Sequence, residues 1–370
     1  MLQKLSFYFV LGIFLINYSN AQTSILAINS TTKTVAKLSA TDGSVINANF
    51  INLTSQNPGT IKGIIQVQNK IWISDQTSNA IYICNIDGSY SSTIPSSAGL
   101  SNIRGLNIVN NEVWVTVAGT ANGATANSIK RFDFSGNSLG NYTTIGSPFD
   151  VLDNGSGSAY VTSFNTEGIQ TISYNGTITG NLVQSGVLSG IQQINKTLDG
   201  NILASVFSNL SSAGNNAGIY LISAANGNIL NKWPVGGPRG AIQTENGNYL
   251  YSTSNGVYSL NPSTGASTQI IAGGYQYFGK LNTSLMAVTE AKTFTASVYP
   301  NPTSGIISLK SKEEIGTAIL YSLDGRVVKT FTGLKGNEEK LDISELPANT
   351  YILKLQTKQG EAKSMKIIKK

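Results

Sequence analysis

The sequence predicts an all-β chain in two parts, a β-propeller and then a small β-sandwich. Two recurrences and one change of pattern lead there. Turn markers recur through the central region at TDG (41–43), IDG (86–88), FSGN (134–137), YNG (174–176), ANG (225–227) and STG (263–265). Pairs such as Asn-Gly and Asp-Gly favour the positive φ of tight hairpins, and an interval of roughly 45 residues suits four short strands per repeat. A second marker falls between them, in KIWISD (70–75), EVWVTV (112–117), SAYVTS (158–163), NILASV (201–206), NYLYST (248–253) and SLMAVT (284–289), each after a Gly or Asn turn. Six hits of each kind predict six blades. From residue 297 the pattern changes to shorter alternating strands.

The elements follow in chain order. Lys4 precedes the apolar run LSFYFVLGIFLI and a polar stretch ending Ser19-Asn20-Ala21, the small-x-small pattern of a signal peptidase site. Residues 1–21 are expected to be a signal peptide, leaving Gln22 first in the mature chain. The apolar run is shorter than the about 20 residues of a helical span, so no membrane span is expected in the mature chain.

Residues 22–290 carry the repeats. The hairpin at Gly43 has no first strand before it, and the repeat opened by Tyr275 has no hairpin after it. The N-terminal segment is therefore expected to complete that last blade. SILAIN (24–29) and SLMAVT compete for its second strand, which leaves a seventh, incomplete blade open. Trp72, Trp114 and Tyr160 recur at one position of the second strands and are expected to pack between blades.

The first strand of each blade would line the central channel. Its entries are IKG (61–63), IRG (103–105), PFD (148–150), GIQ (190–192), PRG (238–240) and YQY (275–277). Lys62, Arg104 and Arg239 then share one repeat position, with Phe149, Ile191 and Gln276 in the others. Three cations around one opening would draw an anion. Lys62, Arg104, Phe149, Asp150, Arg239, Tyr275 and Tyr277 are accordingly the candidate ligand-binding residues. The plainer alternative has the cations paired with carboxylates or facing solvent at the rim.

Composition removes several kinds of chemistry. The chain has no histidine and one cysteine, Cys84, so it forms no internal disulfide and lacks the commonest general base and metal ligand. Cys84 lies in AIYICNI and reads as a buried structural thiol. The net charge of +6 is concentrated at the ends: the tail from Ser297 holds twelve Lys and Arg against eight Asp and Glu, and the central region is nearly neutral. No nucleic-acid partner is expected. Propeller glycosidases need two or three carboxylates at the channel, where only Asp150 stands. Asp75 reads as the cap of its own turn. A calcium set of Asp150, Asn107 and Glu290 can be assembled only on paper, without a D-x-D-x-D-G loop. No catalytic set, metal or cofactor is expected.

The tail segments GIISLKS, TAILYSL, RVVKTF, EEKLDIS, YILKLQT and KSMKIIK alternate apolar and polar residues between Gly, Asn, Asp and Pro, which predicts a small immunoglobulin-like sandwich over 297–370 after a linker at 291–296. It opens with SVYPNPTSG (297–305), continues through LYSLDGRVVKT (320–330) and LDISELPANTYILKLQTKQG (341–360), and ends on MKIIKK (365–370). These pieces in this order resemble the C-terminal sorting domain of type IX secretion cargo in Bacteroidetes. The resemblance covers about a fifth of the chain and rests on Tyr299, Pro300, Asn301, Pro302, Gly305, Asp324, Gly325, Arg326 and Tyr351. Asn349 stands where the family usually has glycine, and asparagine also tolerates positive φ. The resemblance implies the type IX secretion machinery as a partner. The repeats resemble NHL and YVTN-type propellers of secreted bacterial proteins, through period and composition only.

The sequence thus leads to a secreted or surface β-propeller that binds an anionic glycan or a protein. The rival is an extracellular propeller hydrolase or lyase acting on glycans or lactones. Two or more carboxylates in the channel mouth would favour the rival.

Overall fold

The computed structural model describes residues 23–164, 168–209, 211–282, 295–322, 327–334, 338–358 and 362–370. The chain divides into two compact units, Met1–Leu285 and Met286–Lys370. Residues 1–21, expected as a signal peptide, SLMAVT, residues 291–294 of the expected linker, and Asp324, Gly325 and Arg326 lie outside the described residues.

The described strands of the first unit form six four-stranded antiparallel sheets. Five of them use four consecutive strands. The other sheet runs Tyr275–Asn282, Thr23–Asn29, Thr34–Ser39, Val45–Asn52. Leu26 stands opposite Gly279 and Ala27 opposite Phe278, so the two ends of the unit are joined by backbone hydrogen bonds. SILAIN is therefore the second strand of this sheet. The innermost strands, Ile61–Val67, Ile103–Val109, Pro148–Asp153, Ile191–Lys196, Gly240–Gln243 and Tyr275–Asn282, each lie beside the next, and the last lies beside the first. The arrangement is a closed, propeller-like ring.

Local chemistry explains why the chain folds this way. Gly43, Gly88, Gly136, Gly176, Gly227 and Gly265 all have φ between 73° and 93°, and each lies between the third and fourth strands of its sheet. An L side chain rarely adopts that conformation. The core sits between neighbouring sheets. Trp72 packs with Ile103, Leu106 and Phe132, Trp114 with Val151 and Val161, and Tyr160 with Ile191 and Ile194. All three aromatic residues are buried. Cys84 is fully buried beside Ile71 and Ile73, and burial pushes its thiol up to about 12. The thiolate, which is the nucleophilic form, is thus suppressed.

Hydroxyl groups at the ends of four second strands join a sheet to the next, whereas the equivalent Ser205 Oγ is buried without a hydrogen-bond partner among the described residues. Ser74 Oγ accepts from Gly63 N at 2.8 Å and donates to Arg104 O of the following sheet. Thr116 Oγ1 donates to Phe149 O at 3.2 Å, Thr162 Oγ1 to Gln192 O at 3.0 Å, and Ser252 Oγ to Gln276 O. Each bond satisfies a carbonyl that a twisted inner strand turns away from its own ladder. The closing sheet has Ile28 at the equivalent place.

In the second unit a three-stranded sheet, Ala296–Tyr299, Ile306–Ser311 and Glu338–Asp342, accompanies a four-stranded one of Val327–Thr332, Ile315–Tyr321, Asn349–Thr357 and Ala362–Lys369. Ile307, Leu309, Leu320, Leu341, Leu353, Leu355 and Ile367 fill the core between them. The opening motif is tied to the closing one. Asn301 Nδ2 donates to Lys366 O at 2.7 Å, and Ile368 N donates to Asn301 Oδ1 at 2.8 Å. Thr303 N donates to Ile368 O at 2.9 Å, and Lys370 N to Thr303 O at 2.8 Å. Tyr351 is buried and its hydroxyl donates to Pro347 O at 2.8 Å, whereas Tyr299 is exposed. Gly305 leaves room for Ser344, whose Oγ would lie 2.3 Å from a Cβ there. Asn349 is an exposed strand residue and is not among those with positive φ.

Candidate functional site

The channel residues are aimed by bulges. The ladders between first and second strands shift register between Ile61 and Ile64, Ile103 and Leu106, Pro148 and Val151, and Ile191 and Ile194. The two intervening residues of each strand leave the ladder, as bulges do where side chains must be re-aimed. These are Lys62-Gly63, Arg104-Gly105, Phe149-Asp150 and Gln192-Gln193. Gln192, not Ile191, therefore takes the position of Lys62 and Arg104: Ile191 stands where Ile61 and Ile103 do, at the ladder pair before the bulge, and is buried between sheets. Lys62 Nζ donates to Gln192 Oε1 across the ring at 3.2 Å.

Lys62 and Arg104 are not rim charges. They are 5% and 7% exposed, and Arg239 is half-buried. Among the described residues none of the three makes an ion pair. They are held by aromatic faces and carbonyls. Arg104 Cζ stands 3.9 Å from the centroid of Phe149, and Lys62 Nζ stands 4.9 Å from that of Phe149 and 5.3 Å from that of Tyr277. Arg104 Nη1 donates to Ser147 Oγ at 2.9 Å and Pro148 O at 3.0 Å, and Arg239 Nη1 to Tyr275 O at 3.5 Å. Phe149 stacks on Phe164 at 5.1 Å, and Phe164 lies 6.3 Å from Phe207. Phe164 and Phe207, both half-buried, carry the aromatic row out to the entrance of the channel. Tyr275 is buried.

Asp150 shares this layer. Its Oδ2 accepts from Ile194 N at 3.0 Å, and its own N donates to Thr162 Oγ1 at 2.9 Å. The carboxyl lies against Gly105, where a Cβ would come within 2.1 Å of Oδ1 and 2.6 Å of the Asp150 Cα. Glycine is needed there to let the strands approach. Among the described residues, nothing hydrogen-bonds the buried Arg104 Nε, Gln276 Oε1 or Tyr277 hydroxyl. Groups left this way are uncommon in folded proteins.

Burial dominates the electrostatics. It lifts Asp150 from the ordinary 3.8 to about 8, against the backbone donors of Ile194 and Val151 and the charge of Lys62. It lowers Lys62 from 10.5 to about 7, with Arg104 and Arg239 adding repulsion and Asp150 opposing. Burial also lowers Arg104 to about 10 and raises Tyr277 well above its usual value. A carboxyl with a raised pKa stabilises the fold at low pH, and that contribution is lost as pH rises from 3.8 through about 8. A lysine with a lowered pKa contributes above 10.5 and loses that contribution as pH falls toward about 7. Together the two predict a shallow stability minimum between about pH 7 and 8. Denaturant titration across pH checks it: Asp150→Asn should flatten the acid limb and Lys62→Met the alkaline one. A minimum unchanged in both variants would refute the assignment.

Asp75 Oδ1 accepts from Thr77 N and Ser78 N at 3.1 and 3.0 Å, and Oδ2 from Gly59 N at 2.7 Å, so it caps its own turn and ties down the preceding loop. Asn107 lines the channel cavity, while Glu290 lies outside the described residues. Among the described residues no group of three or more His, Cys, Asp or Glu could hold a metal ion. The residues that the sequence reading missed are Gln192 and Gln193 and the bridging hydroxyls. Gln193 Nε2 donates to Phe278 O at 2.6 Å, and Phe278 N donates back to Oε1 at 3.0 Å. The hydroxyls had a signal, since Ser74, Thr116, Thr162 and Ser252 recur near the end of the second marker, as does Ser205, which makes no bridge.

Known proteins resemble the chain in two ways. Solved structures similar to it include a protein of unknown function from Bacteroides caccae, at 12% identity over 70% of this chain and 99% of that one with a TM-score of 0.52. A chain of a nidogen/laminin complex is similar at 13% identity over 70% and 98%, with a TM-score of 0.55. Identities this low show the fold alone. None of the curated proteins compared matches the chain in sequence. Among the described residues no helix is long and apolar enough to cross a membrane. Residues 297–370 match the secretion system C-terminal sorting domain, so the chain carries the tail of type IX cargo and is secreted to the cell surface or the extracellular space.

Proposed function

We propose that residues 22–290 form a six-bladed β-propeller of the NHL or YVTN kind, that 291–296 is a linker, and that 297–370 is an immunoglobulin-like sorting sandwich. A signal peptide at 1–21 and a source in the Bacteroidetes belong to the same reading. The propeller is a binding module, and its ligand is an anionic glycan seated at the channel entrance. The observation that carries this is Arg104: a buried guanidinium whose Cζ stands 3.9 Å from the centroid of Phe149, with no hydrogen-bond partner at Nε among the described residues, at the foot of a half-buried aromatic row. Sugar rings stack on such faces, and a guanidinium can hold a carboxylate or sulfate by two hydrogen bonds. Binding is favoured over hydrolysis because Asp150 is the one carboxylate among the described residues of the layer, and glycoside hydrolysis needs two.

The test is Arg239→Gln and Arg104→Gln in the full-length protein, measured against an acidic polysaccharide. A lost hydrogen bond to an ionised group costs about 1.5–3 kcal/mol, so each variant should bind at least tenfold more weakly. Arg239 makes only one long bond, so its variant should keep the parental Tm. Lost stability with no binding by either form would make the arginines structural. Binding of an acidic protein segment in place of any glycan would replace the ligand class.

A further inference from the structure

The far end of the channel holds a cavity of about 270 Å³, reached from the side opposite the arginines. It is lined by the later residues of the inner strands, and its polar groups fall into two sets. Asp150 and Tyr277 are the deep set, 4% and 1% exposed. Among the described residues the Tyr277 hydroxyl has no hydrogen-bond partner. Lys196 and Lys280 are the outer set, both exposed, with Lys196 Nζ held by Asn154 O at 2.8 Å. Asn107 and Asn195 stand among the lining residues, and Asn195 Nδ2 is engaged by Ala241 O at 2.8 Å, which leaves its carbonyl oxygen to accept.

From this division we infer that the cavity is a second binding site, on the far side of the layer that Asp150 and Tyr277 share with Lys62, and that it takes a monosaccharide-sized polyol bearing a carboxylate. A buried phenol and a carboxyl group are together able to donate to and accept from hydroxyls. A hydroxyl-rich ring would give the Tyr277 hydroxyl a partner and add to the bond that Asp150 Oδ2 accepts from Ile194 N, whereas an apolar guest would leave the phenol unpaired. The ammonium groups at the rim would meet an acidic substituent at the outer end of the same ring. Small-molecule sites commonly measure about 300–1,000 Å³, so a cavity just below that range fits one sugar unit better than a length of chain.

The experiment is calorimetric titration of the full-length protein with galacturonic acid and with methyl galactoside. The parent should bind galacturonic acid saturably and methyl galactoside more weakly. Tyr277→Phe removes only the unpaired hydroxyl, so it should weaken both sugars about tenfold while Tm stays level or rises. Lys196→Gln with Lys280→Gln should bring galacturonic acid down to the level of methyl galactoside. Asn107→Ala, at a half-buried position, gives a second route if Tyr277→Phe folds poorly, and it too should weaken both sugars. No saturable binding up to about 10 mM, a millimolar ceiling for a specific site, would overturn the inference. So would binding that survives Tyr277→Phe unchanged and is lost in Arg239→Gln, because that result puts the sugar at the entrance and leaves the entrance reading intact.

Discussion

Removal of residues 297–370 should leave the protein folded in the periplasm, with almost none at the cell surface or in the medium. The expectation rests on the sorting domain that these residues match and on the separation of the cores. Ile307, Leu320, Leu341, Leu353 and Ile367 pack with one another in the tail, while the sheets of the first unit bury their own residues, such as Trp72, Trp114 and Tyr220. A unit with its own core folds when its neighbour is removed. A finer variant is Asn301→Ala, which removes both side-chain bonds between the opening motif and the last strand. If those two motifs must be presented together, export should fall while the periplasmic pool rises. Cell fractionation with surface protease digestion measures both. Truncated protein found at the surface in parental amounts would contradict the account.

Trp114→Ala should be the most damaging single substitution in the first unit. Trp114 is fully buried, packs with Val151 and Val161 of the next sheet, meets Tyr142 edge-on at 5.5 Å, and donates from Nε1 to Glu112 Oε2 at 3.0 Å. Its removal leaves a cavity between two sheets that are each pinned on both sides in the ring, so the gap cannot collapse. Such a change costs about 3–5 kcal/mol, and for a unit of this size it should lower Tm by roughly 10 °C. The same variant decides between core packing and sugar stacking at this position. A stacking residue would lose ligand and keep its Tm, whereas a core residue shows the reverse.

The ring is legible from residues that recur. Hairpin glycines must have positive φ, and the second strands must place a large residue between sheets, so Gly43 through Gly265 and Trp72, Trp114 and Tyr160 carry the period openly. The join of Tyr275–Asn282 to Thr23–Asn29 can be inferred from the missing halves of two repeats. The register inside the channel is less accessible. The same bulge is present in four of the inner strands, but alternation alone does not say whether Gly190 or Ile191 stands opposite Ile61 and Ile103, which is why the repeat points to Ile191 where Gln192 stands. Burial of the cations is hidden for a different reason. Lys62 and Arg104 have no acidic neighbour in sequence, and the faces that hold them, Phe149 and Tyr277, come from other sheets. The cavity at the far end is equally out of reach, because it depends on which of six strands carry small residues at one level. Gly63 and Gly105 are visible in the sequence, but the space they leave is filled in one place by Leu106 and in the other by Asp150.

Hydroxyl-radical footprinting of the full-length protein, with and without an acidic polysaccharide, tests the central claim most directly. The account predicts that oxidation of Phe164 and Phe207 falls when the glycan is present and that the protection disappears in Arg239→Gln. Saturating glycan with unchanged labelling of both phenylalanines, or protection confined to other surfaces, would contradict a binding site at the channel entrance.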